Sequence, residues 1–224
     1  MTKVYVYWNS KDNDCRKIFH FMSEEDEYSV VPFLVKENEV IIDRKYKYFS
    51  DVSGVMENIQ SSEVVVFCTH GTPNEILKYL EKEGREFEEF ILIDKDNTNV
   101  LENKTVIAFC CSSARVLGRQ CVDNDNRCKA FIGFEDDIVY DNGKAKKSKH
   151  MIFVSYKKAF MKSLKYAAKK KCTVREFKVV LLRNLRKEAA IAILETENNS
   201  LNDIYASAIE GVVALGDIDE AIFV

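Results

Sequence analysis

Two apolar runs of this chain end in residues that can carry out nucleophilic chemistry. Residues 64–67 lead to His70 and Gly71, and residues 106–109 lead to Cys110 and Cys111. A thiol is a nucleophile, and an imidazole is the usual general base for activating one. These two segments therefore predict a cysteine nucleophile with a histidine partner, provided that the fold brings the two side chains together.

The runs themselves indicate how that could happen. Both are short and consist mainly of β-branched and aromatic residues, which is typical of buried parallel strands. In an open α/β sheet, functional groups collect beyond the carboxyl ends of the strands. We therefore expect His70 and Cys111 to meet at that edge of one sheet.

Composition narrows the class of protein. The chain has 224 residues, of which 46% are hydrophobic, with only 2 prolines and 8 glycines, so we expect one globular domain spanning residues 1–224. A net charge of −3 gives no reason to expect direct binding to nucleic acid or to a membrane surface. No run approaches the ~18 apolar residues of a membrane span, and the N-terminus does not resemble a signal peptide.

The seven cysteines are odd in number and form no paired CxxC units, which favours neither a disulfide framework nor a zinc site. We therefore predict free thiols in a cytoplasmic protein, without a metal or other cofactor.

Strand and helix patterns alternate through the first two thirds of the chain, which predicts an α/β architecture. Strands are predicted at 3–8, 64–68, 90–93, 105–110 and 130–134, helices at 12–22, 51–59, 75–80 and 112–117, and a hairpin-like excursion within 30–49.

The last third is mostly helical in pattern. Apolar residues from Ile152 to Leu164 recur at three- and four-residue spacing, and Thr173 with Glu176 forms a capping box that opens a second helix. Residues 209–215 and 221–224 are predicted to be strand-like, and the lysine-rich residues 141–150 to form a long exposed loop.

The segments 64–71 and 106–113 resemble the caspase-like cysteine peptidases of clan CD, especially their bacterial CHAT-type branch. That family has one apolar strand ending in His-Gly and another ending in a small residue followed by Cys. The resemblance covers residues 60–140 and implies a caspase-like three-layer sandwich, with a central, mostly parallel sheet flanked by helices.

Residue by residue, the resemblance implies that Cys111 is the nucleophile, that Cys110 fills the preceding small-residue position and that His70 is the general base. It further implies that the backbone N–H groups of Gly71 and Cys111 form the oxyanion hole. This chain has Cys110 where the family usually has alanine, and Ser112-Ser113 after the nucleophile. The helix predicted to begin at Ser112 would favour a thiolate at Cys111.

Three carboxylates, Glu135, Asp136 and Asp137, follow the strand at 130–134, near the place where this family builds its primary specificity pocket. There they would select a basic side chain in the substrate. The alternative is a solvated acidic loop without a function.

The resulting functional hypothesis is a cysteine endopeptidase that cleaves a protein substrate through a Cys-His dyad. By analogy with similar chains, a regulatory or sensor protein of a bacterial defence system would activate it. The alternative is a catalytically inactive caspase-like or flavodoxin-like binding module. A glycine-loop phosphate site and an α/β-hydrolase are disfavoured, because the chain has no GxGxxG, GxxxxGK[ST] or GxSxG sequence.

Overall fold

The centre of the protein is a six-stranded sheet. A computed structural model describes residues 1–43, 52–81, 87–123, 128–140 and 146–223. The sheet has the strand order β2-β1-β3-β7-β8-β9, and only the last pair, β8 with β9, is antiparallel. Its strands are β1 (Thr2–Trp8), β2 (Asn38–Asp43), β3 (Val64–Cys68), β7 (Thr105–Phe109), β8 (Ala130–Phe134) and β9 (Val212–Gly216).

The register of β3 and β7 decides where the chemistry-bearing residues lie. These strands are parallel neighbours, and Cys68 pairs with Phe109 at their carboxyl ends. His70 and Cys111 each lie two residues beyond that pair, so the chain leaves both strands at the same level. The prediction of an α/β fold with a mostly parallel sheet is confirmed.

Helices cover both faces of this sheet, so the fold is compatible with a three-layer sandwich. Successive strand residues alternate between the faces: Val64 and Val66 pack in one buried cluster, whereas Val65 and Phe67 pack in the other. The first face carries α1 (Asn13–Phe19), α5 (Lys146–Lys170), α6 (Val174–Thr196) and α7 (Leu201–Glu210), and the second carries α3 (Val52–Gln60) and α4 (Leu117–Val122).

A second, three-stranded antiparallel sheet follows His70. It consists of β4 (Gly71–Thr72), β5 (Glu75–Glu81) and β6 (Phe87–Ile93). The strand predicted at 90–93 is therefore confirmed, but the helix predicted at 75–80 is wrong. Apolar runs this short do not distinguish helix from strand, and here pairing with β6 decides the outcome.

The segment 30–49 is not a hairpin in its described part. Val31–Leu34 forms a short helix, α2, with Pro32 in its first turn, where a missing N–H costs nothing. Asn38–Asp43 forms β2, which pairs in parallel with β1 instead of folding back on residues 30–35. Residues 44–49 lie outside the described ranges, as does Asp51 at the start of the helix predicted at 51–59.

The helix predicted from Ser112 to Leu117 is also wrong. Ser112 has a φ of 51°, and α4 begins only at Leu117. The N–H groups of Ser112 and Ala114 donate to the carbonyl oxygens of Asp136 (3.1 Å) and Phe134 (2.9 Å). These bonds tie the segment to the end of β8, so a first helical turn does not form there.

The helical last third agrees in part with prediction. Glu176 N–H donates to the Thr173 hydroxyl at 3.2 Å and Thr173 N–H to the Glu176 carboxylate at 2.9 Å, which confirms the capping box of α6. Ile209 belongs to α7, so the last strand begins only at Val212. From Lys146 onward the predicted exposed loop is helix α5, whereas 141–145 and Val224 lie outside the described ranges. Among the described residues, no helix has both the length and the apolar character needed to cross a membrane.

Candidate active site

Cys110 and Cys111 point to opposite faces of the sheet. Cys110 is fully buried on the second face, where its thiol lies 3.9 Å from the carbonyl oxygen of Phe67. Cys111 is half-buried and packs against the cluster of the first face. The other six cysteines are buried, so Cys111 is the most exposed cysteine residue.

Gly71 lies directly against this cysteine pair. A Cβ atom placed on Gly71 would be 2.8 Å from Cys110 Cβ and 2.9 Å from the carbonyl oxygen of Cys111. Only glycine permits so close an approach of β4 to the end of β7. The predicted oxyanion-hole residues, Gly71 and Cys111, are therefore adjacent in space.

His70 is held by a carboxylate from another strand end. Asp12 follows β1, the other neighbour of β3, and its Oδ1 lies 3.1 Å from His70 Nε2. The same oxygen caps α1 by accepting from the N–H groups of Asp14 (2.9 Å) and Cys15 (2.8 Å). This contact orients the imidazole and leaves Nδ1 facing the cleft.

The Asp12–His70 contact changes both pKa values. Burial opposes ionisation of Asp12, but its bonds from His70 and from the backbone of Cys15 outweigh burial and lower its pKa to about 2. Burial also opposes protonation of His70, but the hydrogen bond and charge of Asp12 outweigh it and raise the pKa of the imidazole. This raised pKa favours the protonated form of His70.

The Tyr140 hydroxyl contacts both predicted catalytic side chains. It lies 3.5 Å from His70 Nδ1 and 3.7 Å from Cys111 Sγ. The imidazole and the thiol thus face one point from two sides, and their separation is at most the sum of these two distances. A scissile peptide would have to take the place of this hydroxyl.

The thiol is protonated in this arrangement. Burial raises the pKa of Cys111, and the opposing hydrogen bonds from Ile138 N–H (3.4 Å) and Tyr140 do not offset it. The helix N-terminus predicted to stabilise a thiolate does not exist, because residues 112–116 form turns. Burial is therefore what favours the protonated thiol, whereas the Tyr140 hydrogen bond by itself favours the thiolate.

The acidic residues after β8 have partners of their own. Glu135 pairs with Arg119, and Asp136 pairs with Arg115 at 3.1 Å. Asp137 accepts a 2.5 Å hydrogen bond from the hydroxyl of Ser112, next to Cys111. Of the three, Asp137 lies nearest the dyad, and its charge disfavours the thiolate of Cys111.

One group near the site has the composition of a metal centre. Ligand-type atoms of Asp12, Cys15 and His70 lie within 4.8 Å of one another. A metal needs the thiolate, but burial, aided by Asp12, raises the pKa of the Cys15 thiol well above its usual value. The Asp12 oxygen is also already bound by two backbone N–H groups, so this set fits a hydrogen-bonded histidine better than a metal ion.

Two residues of the site, Asp12 and Tyr140, were not predicted from the sequence. Asp12 carried a detectable signal, since it is a carboxylate just beyond the predicted strand 3–8 and the N-cap of the following helix. Tyr140 carried none, because only the return of the chain from β8 brings it into contact with His70 and Cys111. No family model matches the chain, and no curated protein matches it significantly.

Replacing Asp12 with asparagine is expected to lower the pKa of His70, because burial then acts without an opposing carboxylate. Asparagine caps a helix about as well as aspartate, so any fall in the free energy of unfolding should come mainly from the lost contact with His70. NMR titration of the His70 ring protons would measure the shift. As a control, Asp203→Asn removes a carboxylate from the first turn of α7 and should leave the titration unchanged; an unchanged titration in Asp12→Asn would contradict this account of the imidazole.

Proposed function

We propose that this protein is a caspase-like cysteine endopeptidase of the CHAT type, with Cys111 as nucleophile and His70 as acid-base partner. The observation that carries the proposal is that Cys111 Sγ and His70 Nδ1 face one point, now occupied by the Tyr140 hydroxyl, at 3.7 and 3.5 Å. Those distances are close to the ~3–3.5 Å at which reacting atoms are held before attack.

In the proposed reaction, a substrate peptide replaces Tyr140 in the cleft. The Cys111 thiol gives its proton to His70, and the sulfur attacks the carbonyl carbon. The N–H groups of Gly71 and Cys111 stabilise the resulting oxyanion. The C–N bond then breaks as His70 returns the proton to the leaving amine, and water hydrolyses the acyl-thioester to regenerate the thiol.

Asp12 acts in this scheme as a positioning residue. By accepting from Nε2 it keeps Nδ1 directed at the cleft, and its negative charge stabilises the imidazolium that forms when the thiol loses its proton. This is the role that a third group plays in other nucleophile–base pairs.

Asp137 is the residue best placed to select a basic side chain in the substrate. Arg119 and Arg115 already neutralise Glu135 and Asp136, whereas a hydroxyl binds Asp137. A lysine or arginine of the substrate can therefore pair with Asp137 without displacing another cation.

The closed cleft supports the further proposal that activity is controlled. A protease that must stay inactive until a regulatory or sensor protein engages it, as in a bacterial defence system, needs its dyad blocked at rest. The free thiols of all seven cysteines suit a cytoplasmic setting for such a protein.

A non-enzymatic caspase-like or flavodoxin-like binding module is the second candidate. Two observations favour it: the Tyr140 side chain fills the cleft, and the pKa of Cys111 is raised. In that case the thiol would be a half-buried structural group with no functional dependence on His70.

A thiol-directed lysyl electrophile, applied to a Tyr140→Ala chain and followed by mass spectrometry, separates the two candidates. Selective labelling of Cys111 alone is uninformative, because the other cysteines are buried. The informative quantity is a ratio of two labelling rates of Cys111: the rate with the lysyl electrophile divided by the rate with iodoacetamide.

The endopeptidase predicts that this ratio falls about tenfold or more with His70→Ala and is little changed by Cys110→Ala. Asp137→Asn should lower the ratio, and Asp136→Asn, whose carboxylate is already paired, should lower it less. A ratio that is indifferent to His70→Ala would end the peptidase proposal and favour the binding module.

A further inference from the structure

A basic cavity of about 660 Å³ lies beside the candidate active site, between α1 and the first half of α5. Its volume is within the ~300–1,000 Å³ range of small-molecule sites. Six of its eight described lining residues are basic, namely Arg16, Lys17, His20, Lys149, His150 and Lys157. Among the described lining residues none is acidic.

Among the described residues, two carboxylates pair with three of these basic side chains. Asp26 lies 2.6 Å from His20 Nδ1 and 2.5 Å from Lys157 Nζ, and Asp14 lies 3.8 Å from Lys17 Nζ. The cavity thus gathers six basic side chains around one concave space. Such a concentration of basic donors matches a ligand with several anionic oxygens, and phosphate groups provide these at high density.

An aromatic stack connects this cavity to the dyad. Lys17 Nζ and Lys149 Nζ lie 4.9 and 5.9 Å from the ring centroid of Phe153, a lining residue. On the protein side, the Phe153 ring stacks on Tyr140, with centroids 6.0 Å apart and planes 22° from parallel. The Tyr140 hydroxyl in turn contacts His70 Nδ1 and Cys111 Sγ.

Helix α1 provides a second connection. Arg16 and Lys17 lie in its last turn, and its N-cap is Asp12, the carboxylate that holds His70. A ligand that draws these basic side chains inward therefore acts on both the Phe153–Tyr140 stack and the helix that orients the imidazole.

We propose that this cavity binds a small organic anion carrying at least two phosphate groups, and that binding withdraws the Tyr140 hydroxyl from its contacts with Cys111 and His70. The proposal of a binding site depends only on the cavity. The proposal that the ligand switches on peptide cleavage rests on the proposed function. The site is made of side chains, and so does not need the glycine-rich loop that the sequence lacks.

Isothermal titration of the intact chain with inorganic triphosphate, ATP and inorganic monophosphate tests the binding site. Triphosphate and ATP should bind with one site per chain, and monophosphate at least ~10-fold more weakly, since it engages fewer donors. Tighter binding of ATP than of triphosphate would identify a nucleotide as the source of the phosphates, and equal binding would identify the phosphate chain itself.

The double variant Arg16→Gln/Lys17→Gln should weaken triphosphate binding at least ~10-fold. Its matched control is Arg186→Gln/Lys187→Gln, an adjacent exposed pair on α6 with the same loss of charge, which should bind within about twofold of the parent chain. Absence of binding to the parent chain, or equal weakening by both variants, would overturn the site.

The switching role is tested by iodoacetamide alkylation of Cys111 with and without saturating triphosphate. In the parent chain, the rate with triphosphate should exceed the rate without it by about tenfold or more. In Phe153→Leu, which keeps the basic groups but removes the aromatic stack, the two rates should be about equal. Binding without a change in alkylation would overturn the coupling. Triphosphate could bind and speed the alkylation of Cys111 while His70→Ala leaves the ratio of lysyl-electrophile to iodoacetamide labelling unchanged. In that case the proposed function fails and this inference stands.

Discussion

Replacing Tyr140 with alanine is expected to raise the rate at which iodoacetamide alkylates Cys111 by about tenfold or more at neutral pH. Burial is the main reason why the pKa of the thiol is raised, and removal of the Tyr140 ring admits water to the sulfur. The variant also loses the Tyr140 hydrogen bond, which by itself favours the thiolate, but burial is the largest cause of the raised pKa and its loss should outweigh this. The thiolate fraction changes tenfold for each unit by which the pKa falls, so the rate should follow.

The same variant should shift the pH dependence of alkylation. The parent chain is expected to react with a midpoint above that of an ordinary cysteine, because its thiol holds its proton to higher pH. In Tyr140→Ala that midpoint should move toward lower pH, so the gain in rate is largest near neutrality and shrinks in alkaline solution. Rates measured across a pH series, with mass-spectrometric assignment to Cys111, provide the readout.

Tyr140→Phe is the matched control, because it keeps the ring on the Phe153 stack and removes only the hydroxyl. Its alkylation rate should stay within a few-fold of the parent, whereas a rate equal to that of Tyr140→Ala would show that the hydroxyl, not the ring, closes the cleft. Circular dichroism would verify folding, since truncating a half-buried aromatic residue costs up to about 3 kcal/mol. A folded Tyr140→Ala chain with the parent's rate would refute the blocking role of Tyr140.

The second large effect is expected for Gly71→Ala. The added methyl group would lie 2.8 Å from Cys110 Cβ and 2.9 Å from the carbonyl oxygen of Cys111, so β4 must move away from the end of β7. Overpacking of this kind costs about 1–3 kcal/mol of unfolding free energy. Because the proposed oxyanion donor at Gly71 moves with β4, reaction with the lysyl electrophile in the Tyr140→Ala background should fall about 10²-fold or more.

Gly54→Ala distinguishes this effect from a general response to replacing glycine. Gly54 lies within α3, and a Cβ atom there would meet nothing within 4 Å. Alanine is the better helix former by about 1 kcal/mol, so this control should stabilise the protein slightly and leave Cys111 reactivity unchanged. Denaturant unfolding gives the stability comparison, and undiminished labelling of the Gly71→Ala chain would exclude Gly71 from the oxyanion hole.

Much of the fold follows from local patterns. The apolar, β-branched composition of 64–67 and 106–109 predicted buried parallel strands, and both lie in the centre of the sheet. The capping box at Thr173 and Glu176 predicted where α6 begins. These signals succeed because strand burial and helix capping depend on residues that are neighbours along the chain.

The failures share one physical cause. Residues 75–80 pair with a strand that follows them, and residues 112–116 are held by bonds to the end of β8, so contacts with other segments override the local pattern. The predicted helix at Ser112 was the one local feature expected to stabilise a thiolate, and without it burial keeps the pKa of Cys111 raised.

Residue types and the period of the strands were enough to predict that a histidine and a cysteine follow two buried strands, because this information lies in neighbouring positions of the chain. The contact of Asp12 with the imidazole, and the contacts of Tyr140, 70 positions from His70, with both the imidazole and the thiol, appear only in the folded structure. Those contacts depend on the order of strands in the sheet and on the path of the chain after β8. Strand order is fixed by hydrogen bonding and packing between segments far apart in sequence, which no local pattern encodes.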